Sequence, residues 1–196
     1  MNGNGTFEKI INAFNRYYDI STENIAGPFC AEAVFKSHGE QYFLVKSAKV
    51  ADIDSNDFVF FCDCSNCGSC DDEKMNDCNK CYDHNERVLH DDCAEPVSVC
   101  LSCAKLEEIA AAAWERGLSR VSPYYGHRNS DVTLVLFADR ISSEALKKIK
   151  QLNYYKSYAF GLYGWSGFRL LAYEASTGRT VTNRRGADLK KLVGNL

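Results

Sequence analysis

Val132-Thr133-Leu134-Val135-Leu136-Phe137-Ala138 is an uncharged run carrying a single hydroxyl group. It is short for a helix and apolar at both alternations, which reads as a strand covered on both faces, deep in a sheet with helices around it. Working towards the N-terminus, Tyr124-Tyr125-Gly126-His127-Arg128 reads as a loop. Before it, Cys103 opens a helix whose apolar face is Leu106, Ile109, Ala110, Ala113 and Trp114, with Gly117 as its stop. Further back, Phe7, Ile10, Ile11, Phe14 and Tyr18 fall at helical spacing and predict a helix over 6–18. Residues 29–37 and 41–50 read as strands around a turn at His38-Gly39, and 57–61 as a third strand.

Working towards the C-terminus, Ser142, Ser143 and Glu144 supply a cap and a first-turn acid for a helix that ends in Lys147, Lys148 and Lys150, as the helix dipole favours. Aromatic strands follow over 155–163 and 168–173, linked through Gly164-Trp165-Ser166-Gly167. A short strand over 179–183 and a terminal helix around Leu189, Leu192 and Val193 complete the chain. The expectation is an α+β fold: a single mixed or antiparallel sheet with flanking helices and an inserted cysteine-rich lobe. Residues 1–61 form its first part, 62–103 the lobe and 104–196 the remainder.

Hydrophobic residues make up 45% and charged residues 25% of the 196, the profile of a folded protein able to bury about 70% of its extended surface. No run approaches the ~20 apolar residues of a membrane span, and Met1-Asn2-Gly3-Asn4-Gly5 has neither the basic start nor the apolar stretch of a secretion signal. A cytoplasmic, reducing location is therefore expected, in which ten cysteines point to metal rather than disulfides. The net charge of −3 conceals a polarity. Residues 63–95 carry a net −7 and residues 114–196 a net +8, and such asymmetry hints at an anionic partner for the basic part.

Within 62–103, Cys64/Cys67, Cys78/Cys81, His90/Cys93 and Cys100/Cys103 form four pairs, each with two intervening residues. Eight such ligands suffice for two tetrahedral sulfur/nitrogen zinc sites. The lobe has too few large apolar side chains to offset ordering entropies of roughly 1–2 kcal/mol per residue, whereas structural zinc contributes on the order of 10 kcal/mol per ion. Other registers use Cys62, Cys70 or His84, and Cys78, Cys81, Cys100 and Cys103 alone have zinc-ribbon or treble-clef spacing. Cys64-x2-Cys67-x2-Cys70 also matches the start of a ferredoxin run, but residue 74, where a fourth cysteine belongs, is Lys.

The order of ligand types over residues 64–103 resembles the cross-brace zinc modules of PHD-finger and variant RING domains. That resemblance implies one ion on Cys64, Cys67, His90 and Cys93, and a second on Cys78, Cys81, Cys100 and Cys103. The chain departs from the pattern in its linker lengths and at Ser98, where the family carries an aromatic residue.

For catalysis, His127 is the candidate general base, with Asp131 or Asp139 as orienting carboxylate. The succession helix, three strands, helix, strand resembles the core of PD-(D/E)xK nucleases, although Phe58-Val59-Phe60-Phe61-Cys62-Asp63 lacks their Glu/Asp-x-Lys. For binding, Lys147, Lys148, Lys156, Arg169, Arg184 and Arg185 accompany Tyr154, Tyr155, Tyr158, Tyr163, Trp165 and Phe168. Cations neutralise phosphates while aromatic faces stack on unpaired bases. The expected function is a zinc-stabilised interaction or regulatory protein contacting nucleic acid or a protein partner, with no membrane association. The alternatives are a hydrolase or nuclease-like enzyme, or an iron–sulfur redox protein.

Overall fold

The computed structural model describes residues 3–42, 49–65 and 100–194. Helix α1 (Gly3–Asn15) precedes strands β1 (Asp19–Ser21), β2 (Ala31–Tyr42) and β3 (Lys49–Asp63). After the cysteine-rich segment come β4 (Cys100–Leu101), α2 (Cys103–Ser119), β5 (His127–Ala138), β6 (Arg140–Ile141) and α3 (Ser143–Gln151). The chain then forms β7 (Tyr155–Ser157), β8 (Trp165–Glu174), β9 (Arg179–Thr182) and α4 (Lys190–Val193). Among the described residues this is an α+β fold with a mixed seven-stranded sheet in the order β1-β2-β3-β5-β8-β7, and β9 paired on β8. Strands β3, β5 and β8 run parallel, β2 is antiparallel to β3, and β7 and β9 are antiparallel to β8. A separate two-stranded parallel pair joins β4 to β6.

The three parallel strands are apolar at both alternations because each face is covered. Phe58, Phe60, Leu134, Leu136, Leu170 and Ala172 pack with Leu106, Ile109 and Ala113 of α2 and Ile149 of α3. Val59, Phe61, Val135, Phe137 and Leu171 pack with Phe7, Ile10 and Phe14 of α1 and with Leu189 and Val193 at the C-terminus. Both crossover connections, β3–α2–β5 and β5–α3–β8, thus place their helices on one face, as successive crossovers of one hand do when the sheet grows in one direction. Ser102 and Ser142 cap α2 and α3, their hydroxyls accepting from the Lys105 and Ala145 amides. The buried Glu32 of β2 accepts from Arg116 and Arg120 of α2, tying the antiparallel part of the sheet to a crossover helix. Among the described residues, no helix is long and apolar enough to cross a membrane.

Four expectations need correction. The turn predicted at His38-Gly39 lies inside β2, where His38 stands opposite Asp54 and its Nδ1 is 2.7 Å from Asp54 Oδ1, so the predicted strand over 41–50 straddles the β2–β3 connection. Gly117 does not end α2; it lies within the helix, where a Cβ would stand 2.4 Å from Val132 Cγ2. The loop predicted through His127 stops at Gly126, and β5 begins at His127. The turn between the aromatic strands is 158–164, so Trp165, Ser166 and Gly167 are already strand. In each case sheet pairing or close packing overrides a local propensity.

Candidate functional site

The register lays out one face of the sheet row by row. Phe35, Asp57, Asp131, Gly167 and Tyr155 are successive neighbours across β2, β3, β5, β8 and β7. One row earlier on the parallel strands stand Ser55, Asn129 and Trp165, with Ser157 beside Trp165, and one row later Val59, Thr133 and Arg169. These residues share the α1/α4 face, but the apolar cover begins only at the level of Val59. The starts of the parallel strands are left as a polar–aromatic surface, with a cleft of about 530 Å³ bounded by Tyr17, Tyr18, Phe35, Asp131, Arg169 and Asp188. A larger groove of about 1100 Å³ adjoins it through Tyr17, Phe35 and Asn56 and follows β2 past His38 and Asp54.

Asp57 forms the floor of the cleft. It is 6% exposed and accepts from Tyr18 Oη at 2.7 Å, Thr133 Oγ1 at 2.8 Å and Arg169 Nη1 at 2.8 Å. Burial pushes its carboxyl above the usual range against the pull of Arg169, and burial beside Asp57 also raises the Tyr18 phenol. Arg169 donates through Nη2 to Asp188 at 2.7 Å. Burial opposes the Arg169 charge, but Asp57, Asp188 and Asp131 outweigh it and raise the guanidinium further. Beside them, burial and then the neighbouring Asp57 push Asp131 up to about 6.

A carboxyl whose pKa is higher folded than unfolded favours the fold while protonated, and that support is lost as pH rises through the folded value. Here the support is complete below about pH 4 and gone above about pH 6. At pH 8 the Asp131 charge costs the fold roughly 1–3 kcal/mol. Asp131→Asn is therefore expected to raise the unfolding free energy by that amount at pH 8 and to leave it unchanged at pH 4. Urea denaturation at the two pH values checks this.

Above Gly167 lies an exposed stack. Arg185 places its guanidinium carbon 5.3 Å from the Tyr155 ring centroid and 5.0 Å from that of Trp165, and the two rings lie 6.1 Å apart at 27°. Gly167 permits this approach, since a Cβ there would meet Arg185 Nη1 at 2.5 Å. The buried Asn183 sets the position of Arg185. Its Oδ1 accepts from the Leu170 and Gly186 amides, and its Nδ2 donates to the Leu152 and Phe168 carbonyls, so the 184–186 turn is fixed from below. Cation–π contacts of this kind are worth about 0.5–1 kcal/mol when exposed, enough to orient the group without hiding it.

The residues singled out from sequence are dispersed by the fold. Arg169 is in the cleft, engaged by two carboxylates, and Arg185 is in the stack, with the exposed Arg184 next to it. Lys156 sits over Tyr158 on the other side of the β7–β8 hairpin. Lys147 and Lys148 belong to α3, which covers the opposite face of the sheet, and Lys148 pairs with Glu107 of α2. His127 is 4% exposed; its Nδ1 donates to the Tyr163 carbonyl and its Nε2 is 2.8 Å from Ser130 Oγ. Nδ1 fastens the 158–164 turn to β5 and Nε2 is engaged by Ser130 of the same strand, so neither Asp131 nor Asp139 orients the ring.

Among the metal-ligand candidates, Cys67, Cys78, Cys81, His90 and Cys93 lie outside the described residues, as do the alternatives Cys70 and His84. Cys64 is buried at the end of β3, with its Sγ 3.7 Å from that of Cys62, while Cys100 and Cys103 are half-buried where α2 begins. Cys30 donates its thiol to the Phe61 carbonyl at 3.3 Å, and burial raises its pKa. Among the described residues no three His, Cys, Asp or Glu side chains are grouped to hold a metal ion. The ligand sets drawn from sequence place only one and two of their members there.

Sequence reasoning missed Asp57, Asn183 and Gly167. The available signal was Asp57 opening an otherwise apolar strand, and the Asn183-Arg184-Arg185-Gly186 turn.

Fold and site together define an α+β protein with a mixed sheet, a charged cleft at the start of its parallel strands and an aromatic–arginine stack beside the cleft. The chain belongs to the family described as "Domain of unknown function (DUF8052)", whose model matches residues 2–85 and 80–195. No curated protein and no solved structure matches it. The resemblance of residues 64–103 to PHD-finger and RING cross-braces is thereby corrected. The family match runs across that segment as part of the whole chain and is not to a zinc finger. Paired cysteines at two-residue spacing are common to many folds, and the order of ligand types alone does not specify a cross-brace.

Proposed function

We propose that this protein is a binding module for unpaired nucleic acid, with the Trp165–Arg185–Tyr155 stack as its contact surface. The observation that carries this reading is the exposure of the stack: Tyr155 is 54% exposed and Arg185 lies open over both rings. A guanidinium plane flanked by aromatic faces serves a flat base and its phosphate together. The exposed Arg184 next to Arg185 adds a second cation at the stack, which favours a polyanion.

The test is fluorescence anisotropy with a labelled oligothymidylate across a salt series. Wild-type protein is expected to bind. Arg185→Ala should weaken binding and flatten the salt slope by about one, and Trp165→Ala should cost roughly 1–3 kcal/mol. No binding at low salt by the wild type overturns the reading.

Zinc is part of the same proposal, as a structural ion of the cysteine-rich segment in a reducing cytoplasm. The 3.7 Å separation of the Cys62 and Cys64 sulfurs supports it. Two thiolates on one tetrahedral zinc, with bonds of about 2.3 Å, stand about 3.8 Å apart. Mass spectrometry of protein purified without a tag under anaerobic conditions should find zinc. Iron and visible colour would replace this part of the reading with a cluster.

A further inference from the structure

The turn joining β7 to β8 combines features that the stack does not explain. Ala159 and Phe160 both adopt left-handed backbone, at φ 47° and 54°, followed by Gly161 at 91° and Gly164 at 76°. Two consecutive non-glycine residues in this region are strained, and such strain persists only where the surroundings enforce it. The enforcement is visible. The Tyr158 amide donates to the Gly164 carbonyl at 3.0 Å, and the Gly161 and Tyr163 amides donate to the Tyr158 carbonyl at 2.9 and 3.2 Å. From the sheet, His127 Nδ1 holds the Tyr163 carbonyl at 2.8 Å, and Tyr158 Oη lies 2.8 Å from Ser166 Oγ.

What this scaffold displays is Phe160, 106% exposed, with Leu162 at 73% beside it. A ring held out by a braced, strained turn is not a side chain left over from packing. The turn continues the hairpin that carries Tyr155 and Trp165. Within the hairpin and its approaches, residues 145–173, there is no acidic side chain, and Arg128, Arg184 and Arg185 are exposed around it. Exposed cations at the base of a hairpin that holds out an apolar flat ring suit a partner that is anionic and presents flat faces.

We propose that the 158–164 turn is a stacking wedge, with Phe160 capping an unpaired base of the strand bound on the adjacent stack. This extends the site from two aromatic faces to three, and it rests on the nucleic-acid reading given above. It also gives the site a preference for single strands, because a base must leave its duplex neighbour to meet the ring.

Anisotropy with labelled oligothymidylate, on full-length wild type, Phe160→Ala, Phe160→Trp and Phe160→Gly, tests it. Phe160→Ala should bind roughly 5- to 140-fold more weakly, as expected for loss of one stacked base. Phe160→Trp should restore wild-type affinity. Phe160→Gly should raise Tm by relieving the left-handed backbone while binding as weakly as Phe160→Ala, a split that a purely structural role for the ring does not produce. If Phe160→Ala binds like wild type while Arg185→Ala is impaired, the wedge is wrong and the stack reading stands. If wild type shows no affinity, both fall.

Discussion

Gly164→Ala is expected to destabilise the protein by about 3 kcal/mol or more, lowering Tm by roughly 6–12 °C for a chain of this size. Two effects combine. Gly164 has φ 76°, where an L side chain is strained, and its added Cβ would meet the Arg128 and His127 carbonyl oxygens at 2.3 and 2.5 Å. Those atoms are backbone of β5, held where His127 pairs with Asp54 of β3 and the adjoining Asn129 pairs with Ser55 of β3 and Trp165 of β8, so the hairpin must lift instead. Lifting it breaks the His127–Tyr163 bond and moves Trp165, so oligonucleotide affinity should fall with stability. Gly161→Ala is the control. Its φ is 91°, but the nearest atom to its Cβ is Ser157 Oγ at 4.0 Å, so only the conformational cost of about 1 kcal/mol applies. Equal losses for the two variants, measured by thermal melting, would show that the close approach to β5 is not what the sequence is protecting.

Arg169→Met is expected to cost about 3–5 kcal/mol at pH 8, the range for leaving a buried charge without its partner. Asp57 would keep its Tyr18 and Thr133 donors but lose the guanidinium 2.8 Å away, with Asp131 still beside it. The sign with pH follows from linkage. Without the guanidinium, the folded pKa of Asp57 moves further above its unfolded value, so the variant takes up a proton on acidification that relieves the buried charge. The deficit relative to wild type should therefore narrow between pH 8 and pH 5. Urea denaturation at both pH values measures it, and a deficit independent of pH would mean that Arg169 stabilises by packing alone.

The parallel core was readable because burial on both faces leaves a plain mark. Val132–Ala138 and the apolar faces of α2 and α3 appear in sequence much as they do in space. The hairpins were harder to delimit. His38-Gly39 and Trp165-Ser166-Gly167 look like turns locally, yet cross-strand pairing holds them extended. The candidate site was legible only in fragments. Arg169 and Arg185 stood out as cations, but nothing local indicates that one is buried against Asp57 and the other laid flat over a glycine two strands from that aspartate. That arrangement is set by register, which no single stretch of sequence encodes. His127 attracted attention as a loop base because its two partners, Tyr163 and Ser130, become neighbours only once β5 and the 158–164 turn meet.

Trp165 itself can report whether a base stacks on the proposed surface. The chain has two tryptophans, and Trp114 packs against Tyr154 and Phe168, so Trp114→Phe leaves Trp165 as the sole indole emitter. Titrating that variant with unlabelled oligothymidylate should quench the Trp165 emission to saturation, with a midpoint matching the anisotropy Kd. Emission that stays unchanged while the strand is bound would place the nucleic acid elsewhere and contradict the account.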